Sequence, residues 1–307
     1  MRRNDAASRG SRIVSEQSFG RVALIGIGLI GSSLARVLRR DSPRTTIVAC
    51  ARQPETLAAV ERLELADERT HDPAQAADGA DLVVIATPLS AYAEIGRRIA
   101  PALKQGAILT DVGSVKEVVV RELGPHVPQG VHFVPGHPVA GTEHSGPEAG
   151  FAELFRDRWC VLIPLPETPL EAVAQVGGMW EAAGMRVVTM TAAHHDRVLA
   201  MTSHLPHLIA YTIVGTATSL EESLKSEVIA FSASGFRDFT RIAASDPVMW
   251  RDIFLNNREA VLDVLQRFSE DLTALQRAIR WGEGDTLQEL FTRTRAIRRS
   301  IIEAKQA

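Results

Sequence analysis

The segment RVALIGIGLIGSSLA, residues 21–35, decides the fold of the first half of the chain. Arg21–Ile25 is a short apolar run of strand-forming residues, and the apolar residues of Leu29–Arg40 recur at the spacing of a helix. Between the two, GIGLIG matches the pattern G-x-G-x-x-G. A strand that leads directly through this pattern into a helix is the context in which the pattern binds a dinucleotide.

The residues of this turn have separate physical tasks. Gly26 allows a tight turn, Gly28 lets the backbone approach a pyrophosphate, and Gly31 lets the helix pack closely on the strand. The start of the helix, at Leu29 and Ile30, supplies unpaired N–H groups and a partial positive charge for the phosphates. We therefore predict that these five residues bind the cofactor.

The end of the second predicted strand, Thr46–Cys50, bears on the choice between NAD and NADP. An NAD site usually has an acidic residue there, which accepts a hydrogen bond from the 2′-hydroxyl of the ribose. This chain has Ala51-Arg52-Gln53 instead. Because no acid is present to repel a 2′-phosphate and Arg52 can pair with one, the sequence favours NADP. The alternative is an NAD site beside an Arg52 that faces solvent.

The following segments continue the alternation of strands and helices up to about residue 190. Pro54–Leu65 is predicted to be a helix, because Pro-Glu is a helix start signal and apolar residues then recur at helical spacing. Such alternation predicts an α/β fold of the Rossmann type, with a doubly wound, mostly parallel sheet. The further predicted strands are Leu82–Ala86, Ile108–Thr110, His132–Val134, Cys160–Ile163 and Val187–Met190.

After about residue 190 the strand pattern stops, and the chain is predicted to be helical almost throughout. We expect a flexible polar arm at 1–18, a dinucleotide-binding domain at 19–189 and an all-helical domain at 190–307, with the active site between the two domains. One helix carries a heptad-like apolar seam, which is either a buried face or an interface between subunits. The members of the seam are Phe254, Val261, Leu265, Phe268, Leu272, Leu275 and Ile279.

The composition argues against several classes of protein. Apolar residues make up 45% and charged residues 23% of the chain, and the net charge of −3 gives no basic excess for nucleic acid. Cys50 and Cys160 lie in apolar runs, which indicates buried thiols and no disulfide framework. The N-terminus lacks the apolar core of a secretion signal, and we find no run of about 18 apolar residues that would span a membrane. A cytoplasmic protein without a membrane partner is expected.

Three predicted loops at the carboxyl ends of strands carry candidate site residues, because ligands of open α/β sheets bind at those ends. Thr87-Pro88 is expected beside the cofactor. Ser114, in DVGSVK, is either a functional hydroxyl or the first residue of a helix capping box. His137 lies in the predicted loop GHPVAGTE, where a neutral imidazole can accept a proton from a substrate hydroxyl.

Five segments of the chain are distinctive together, namely GIGLIGSSLA, DVGSVK, GHPVAGTEHSG, MTSHLPHLIA and SGFRDFTRIAASDPVMW. They resemble those of the prephenate/arogenate (cyclohexadienyl) dehydrogenase family, over about residues 20–300. The resemblance implies an NAD(P)-dependent oxidoreductase of tyrosine biosynthesis. Such an enzyme oxidises prephenate to 4-hydroxyphenylpyruvate, arogenate to tyrosine, or both, with loss of CO₂. The resemblance also implies a homodimer built on an all-helical dimerisation domain.

The same resemblance implies roles for individual residues. His137 is similar to the family's catalytic histidine, and Ser114 is similar to the serine that orients this histidine and the ring hydroxyl. Arg241 resembles the arginine that binds a substrate carboxylate. The other implied substrate-binding residues are Ser203 and His207, on the first helix of the second domain, and Thr142 and Glu143, at the mouth of the pocket.

Two other functions fit parts of the pattern. A dehydrogenase of the β-hydroxyacid or 6-phosphogluconate type shares the layout, but it is expected to use a lysine of the helical domain. Lys225 is the only lysine between residues 190 and 300, and it lies outside the motifs. A non-catalytic module that senses nicotinamide nucleotides would not need His137, Ser114 and Arg241 together. The choice between prephenate and arogenate stays open.

The histidines near the start of the helical domain are interpreted structurally. His194-His195-Asp196 is predicted to be a helix start, and Pro206 predicts a second start at His204 or Leu205. His204 and His207 are spaced like a pair of metal ligands, but no nearby acid or cysteine completes a site. No metal is therefore expected.

Overall fold

The computed structural model describes residues 19–219 and 234–303, which fall into two units. Among the described residues, the first unit comprises 19–195 and Ser245–Asp252, and the second comprises 196–219, 234–244 and 253–303. The arm predicted at 1–18 and Lys225 lie outside the described residues.

A six-stranded parallel sheet forms the centre of the first unit. Its strands are β1 Arg21–Ile25, β2 Thr46–Cys50, β3 Glu68–Thr70, β4 Leu82–Ile85, β5 Ile108–Asp111 and β6 His132–Val134. The strand order β3-β2-β1-β4-β5-β6 is that of dinucleotide-binding folds, in which the order reverses beside the first strand. Because Ile25 lies opposite both Cys50 and Ile85, the carboxyl ends of β1, β2 and β4 share one edge of the sheet.

Helices connect these strands, and the predicted doubly wound fold is confirmed. Every residue of β4 and β5 is buried, although successive side chains of a strand point to opposite faces. The sheet is therefore covered on both faces, as parallel sheets usually are. The helices of this part are α1 Leu29–Asp41, α2 Pro54–Arg62, α3 Pro73–Ala77, α4 Tyr92–Ile99, α5 Lys116–Leu123 and α6 Leu170–Ala182, and short 3₁₀ turns lie at Leu89–Ala91, Ala100–Ala102, Gly124–His126, Pro147–Ala149 and Ala152–Phe155.

A second sheet contains three strands: β7 Gly136–Val139, β8 Trp159–Leu162 and β9 Arg186–Thr189. The prediction that His137 lies in a loop was wrong. His137 is in β7, which pairs antiparallel with β8 and places His137 opposite Val161. The glycine and proline beside His137 suggest a loop locally, but pairing with a strand more than 20 residues away overrides that preference. His137 is consequently 7% exposed.

The long helix that follows β9 differs from the prediction. It runs as α7 Ala192–Leu199, a π-helical turn Ala200–His204 and α8 Leu205–Thr218. The helix α8 begins at Leu205 as predicted, but it continues the preceding helical turn without a break. Pro206 lacks the N–H that an α-helix would use and clashes with the preceding turn. The wider π-helical turn immediately before Pro206 relieves both problems, and such turns are frequent at functional sites.

This helix is also apolar enough to be a candidate membrane span, although the sequence was expected to contain none. By length and composition alone, Ala192–Thr218 would suffice to cross a membrane, and 28% of its most apolar part is buried. Core helices of proteins without membrane contact satisfy the same criterion. The composition of this helix therefore does not by itself indicate a membrane span.

The rest of the chain is helical in every part that the structure describes, as predicted. The prediction that one helix carries the whole apolar seam was wrong, because Phe254 lies in the helix Pro247–Asn256 and the other members lie in the longest helix, Arg258–Trp281. The seam is only partly covered. Val261 is buried, whereas Leu272 is 53% and Ile279 is 67% exposed. The helices are α9 Ser234–Thr240, α10 Pro247–Asn256, α11 Arg258–Trp281 and α12 Gly284–Glu303, with a 3₁₀ turn at Arg241–Ala244 after α9.

Candidate active site

A glycine-lined turn between β1 and α1 forms a cradle for a dinucleotide. Gly26 has φ +102°, and a Cβ there would run into the carbonyl oxygen of the residue that follows β4. A Cβ on Gly31 would meet the carbonyl oxygen of Gly26. Gly28 is the N-cap of α1, with open space where its side chain would be and no side-chain cap on the helix. This open space, with the N–H groups of Leu29 and Ile30, fits a pyrophosphate.

The segment after β2 carries the residue predicted to choose between NAD and NADP. Arg52 is exposed, and no acid within residues 19–219 and 234–303 forms an ion pair with it. The neighbouring Ala51 carbonyl accepts a 2.9 Å hydrogen bond from Nδ1 of His71. Because a carbonyl oxygen can only accept, this bond places the His71 proton on Nδ1.

The segment after β4 adjoins the glycine-lined turn. The Thr87 methyl carbon lies 3.0 Å from the position that a Cβ on Gly26 would occupy. The Thr87 hydroxyl donates to the Pro88 carbonyl oxygen at 3.4 Å. Thr87-Pro88 thus lies beside the predicted cofactor turn.

A buried carboxylate at the end of β5 joins two segments that carry candidate residues. Asp111 Oδ2 accepts hydrogen bonds from Lys116 Nζ at 2.6 Å and from the Gly113 N–H at 2.7 Å. The Tyr92 hydroxyl donates to the same oxygen at 3.2 Å, and the Gly136 N–H donates to Oδ1 at 3.1 Å. Lys116 Nζ also donates to the Gly136 carbonyl oxygen at 2.5 Å. The Asp111 and Lys116 side chains are fully buried.

This ion pair holds the backbone of the two segments that carry Ser114 and His137. Ser114 lies between Gly113, whose N–H donates to Asp111, and Lys116, whose side chain donates to the same carboxylate. His137 follows Gly136, whose N–H donates to Asp111 and whose carbonyl oxygen accepts from Lys116. Burial and the negative charge of Asp111 raise the pKa of the Tyr92 hydroxyl well above its usual value. Tyr92 therefore acts as a neutral hydrogen-bond donor.

Ser114 does not cap a helix. The helix after it, α5, begins at Lys116 with Val115 as its N-cap, and no side chain caps it. The capping-box interpretation is therefore wrong. Ser114 is half-buried, so its hydroxyl is accessible to a ligand.

His137 is paired with a second histidine that was not predicted to be functional. Its Nδ1 atom lies 2.8 Å from Nε2 of His195, and the two ring centroids are 5.0 Å apart at an interplanar angle of 67°. His195 is fully buried in the first turn of α7, where its backbone N–H donates to the Thr191 carbonyl oxygen. The predicted helix start is confirmed, but no sequence signal links His195 to a partner 58 residues away.

Three candidate residues lie together in the second unit. His207 Nδ1 donates to the Ser203 carbonyl oxygen at 2.8 Å, which leaves the lone pair of the neutral ring on Nε2. Burial lowers the pKa of His207, and the positive charge of Arg241 lowers it further. Arg241 is exposed in the 3₁₀ turn Arg241–Ala244. A neutral imidazole within the electrostatic reach of a guanidinium suits a substrate that carries a carboxylate.

A buried asparagine, which the sequence analysis missed, supports this group. Asn257 Nδ2 donates to the Asp196 carbonyl oxygen at 2.8 Å and lies 3.0 Å from Nδ1 of His204. Since the carbonyl can only accept, the amide nitrogen faces it, and its second hydrogen points to the His204 ring. This contact fixes the π-helical turn that carries Ser203.

Thr142 and Glu143 follow β7 on the same segment as His137. The Thr142 hydroxyl oxygen accepts from the His144 N–H at 3.2 Å, and Glu143 lies 3.8 Å from the His144 ring. These contacts order a local turn. Among the described residues, no group of His, Cys, Asp and Glu side chains is arranged to hold a metal ion.

The chain is similar to proteins of one family along most of its length. Sequence models described as "prephenate dehydrogenase, nucleotide-binding domain" and "prephenate dehydrogenase, dimerization domain" match residues 34–189 and 191–293. The cyclohexadienyl dehydrogenase of Zymomonas mobilis is 42% identical over 283 residues, which are 92% of this chain and 96% of that protein.

Solved structures agree with this similarity. The crystal structure of A. aeolicus prephenate dehydrogenase in complex with hydroxyphenyl propionate and NAD⁺ has a TM-score of 0.87 at 33% identity. It covers 93% of this chain and 99% of its own. The arogenate dehydrogenase of Synechocystis has a TM-score of 0.75 at 29% identity, over 91% of this chain and 98% of its own.

Proposed function

Because the chain belongs to the prephenate dehydrogenase family, we propose that it oxidises prephenate, arogenate or both with a nicotinamide dinucleotide. The products are 4-hydroxyphenylpyruvate from prephenate and tyrosine from arogenate, together with CO₂. The observation that carries this proposal is the buried His137, paired with a second imidazole in the same unit as the glycine-lined turn.

The reaction removes a hydride and a carboxyl group from the same ring. When bound, the nicotinamide accepts the hydride from the carbon that bears the ring hydroxyl. His137 accepts the hydrogen bond from that hydroxyl and draws its proton away as the hydride leaves. Loss of the ring carboxyl as CO₂ makes the ring aromatic, and the phenol oxygen regains the proton. Ser114 orients the hydroxyl toward His137.

Substrate recognition is assigned to three residues of the second unit and two of the first. Arg241 binds a substrate carboxylate, because a guanidinium offers several donors in a geometry that matches carboxylate oxygens. Ser203 and His207 contact the substrate side chain, and Thr142 and Glu143 border the entrance.

NADP is the proposed cofactor, with NAD as the alternative. The support is Arg52, which is exposed at the end of β2 where an NAD site usually has an acid. The A. aeolicus prephenate dehydrogenase was crystallised with NAD⁺, so both cofactors have to be compared directly.

A homodimer through the helical domain is the proposed assembly. Large apolar side chains are exposed along the two C-terminal helices, and a second copy of the same helices would remove them from water. The matched sequence model of this region is described as a dimerization domain. The exposed residues are Leu262, Leu272, Ile279, Trp281, Phe291 and Ile297.

Initial rates with prephenate and arogenate, each crossed with NAD and NADP, test the proposed function. Release of CO₂ in step with formation of the reduced cofactor is expected with at least one pair. Turnover of simple β-hydroxyacids in place of both substrates would indicate the alternative dehydrogenase type. Cofactor binding without any turnover would indicate a sensing module.

A further inference from the structure

We propose that His195 is a positioning residue, which holds the imidazole of His137 in the tautomer that the reaction needs. The inference rests on the proposed function, in which His137 accepts the proton of the ring hydroxyl. His195 would not contact substrate or cofactor. Its effect would reach the substrate through the ring of His137.

The proposed function requires one direction for the hydrogen bond between the two rings. Two nitrogen atoms 2.8 Å apart can hold a single hydrogen between them. If Nε2 of His137 is to accept the substrate proton, the hydrogen of the neutral ring must lie on Nδ1. His137 Nδ1 is then the donor, and Nε2 of His195 is the acceptor. His195 in turn carries its own hydrogen on Nδ1.

Packing gives His195 the rigidity that this role requires. It is fully buried, and its backbone is fixed in the first turn of α7 by the bond to Thr191. His137 is fixed in β7 by pairing with Val161 and by the Lys116 and Asp111 contacts to the preceding Gly136. Both rings thus project from regular elements whose backbones are held independently.

A neutral partner suits a base that must work near neutral pH. The charged and titratable groups near the pair in the described residues include the Asp111–Lys116 ion pair beyond Gly136, the Cys160 thiol against the His137 backbone, and Asp196 next to His195 in the chain. Protonation of His195 would make its Nε2 a donor, so the contact could persist only if the hydrogen of the His137 ring moved from Nδ1 to Nε2, the tautomer that cannot accept the substrate proton.

Two variants at position 195, with a control at the neighbouring position, distinguish a positioning role of His195 from a purely structural one. In His195→Phe the ring shape stays but the acceptor is lost, whereas in His195→Gln a side-chain oxygen can still accept. His194→Phe is the matched control, since the neighbouring histidine is exposed. His137→Asn identifies the signals of the His137 ring and tests the proposed function separately.

The measurements are kcat, both KM values and ¹⁵N NMR of histidine-labelled full-length protein. We expect kcat of His195→Phe to fall roughly 10- to 100-fold, by analogy with partners that orient metal-bound histidines. The KM for the cofactor should stay within about twofold, because no cofactor contact is removed. His195→Gln should keep most of the activity, and His194→Phe should match the wild type. The neutral His137 ring should carry its hydrogen on Nδ1 in the wild type. In His195→Phe it should be a mixture of the Nδ1–H and Nε2–H tautomers.

Three results would overturn the inference: a kcat near the wild-type value in His195→Phe, equal losses in His195→Phe and His195→Gln, or a wild-type His137 protonated on Nε2. A high kcat in His137→Asn would instead contradict the proposed mechanism. The tautomer measurement needs no turnover, so it decides the inference in either case.

Discussion

His137 is the residue at which the proposed chemistry can be tested most directly. His137→Asn should lower kcat roughly 10²- to 10⁴-fold, the usual contribution of a positioned acid–base group. In the wild type kcat should fall as the pH is lowered, because a protonated imidazole cannot accept the substrate proton. That fall should be absent from the pH profile of the variant. His144→Asn, with a ring 75% exposed on the same segment, is the control. A persisting acidic limb in His137→Asn would assign the proton transfer to another group.

Arg52 tests the choice of cofactor. Arg52→Ala should lower kcat/KM for NADP more than for NAD, because only NADP has the 2′-phosphate that the guanidinium would bind. Arg44→Ala replaces an exposed arginine just before the start of β2, and it should leave the ratio of kcat/KM for NADP to kcat/KM for NAD unchanged. A wild-type enzyme that strongly prefers NAD would contradict the proposed role.

Arg241 tests substrate binding. Arg241→Ala should mainly raise KM for the substrate, since loss of one partner from a charge pair that the bound substrate would cover costs about 2–5 kcal/mol. The KM for the cofactor should not change. Arg237→Ala, an exposed arginine in α9, is the matched control. An unchanged substrate KM in Arg241→Ala would assign Arg241 to structure.

Roles could be proposed from the sequence for residues inside short motifs, whereas their long-range partners could not be identified in this way. Ser114, His137 and Arg241 lie in segments that resemble a known family. His195 and Asn257 have no such signal, because each acquires its role from a contact made when distant segments fold together.

The Asp111–Lys116 ion pair acts at the scale of whole elements, because it ties β5 and the start of α5 to β7. Lys116→Met should destabilise the fold by about 3–5 kcal/mol, since it leaves a buried carboxylate unpaired. Denaturant unfolding measures this loss. The double variant Lys116→Met/Asp111→Asn should be less destabilised than the sum of the two single variants. Additive losses would show that the two side chains stabilise the fold independently.

Periodicity predicted most elements, but it failed where tertiary contacts decide the structure. The buried strands β1 and β4 are nearly continuous apolar runs, so their ends agree with prediction to within a residue. β3 was missed because its residues Glu68–Thr70 are polar and largely exposed at the sheet edge. The π-helical turn before Pro206 was also missed, because proline normally indicates a helix start or break.

At the scale of the molecule, the exposed apolar seam predicts the state of association. Light scattering at micromolar concentration should give the mass of two chains. Leu272→Glu combined with Ile279→Glu should shift the protein toward the monomer, because charges would be buried at the contact. Arg277→Glu changes the charge at an exposed position of the same helix and is the control. A monomeric wild type would contradict the proposed dimer.

The two buried thiols make the protein a convenient carrier for site-specific probes. Burial raises the pKa of the Cys50 thiol to about 11, and it raises that of Cys160 still further. Reagents such as maleimides attack the thiolate, which is scarce at neutral pH for such groups and is shielded here by packing. A cysteine introduced at an exposed position, such as His194, would therefore be the only reactive one. A fluorophore could be attached there without first replacing either native cysteine.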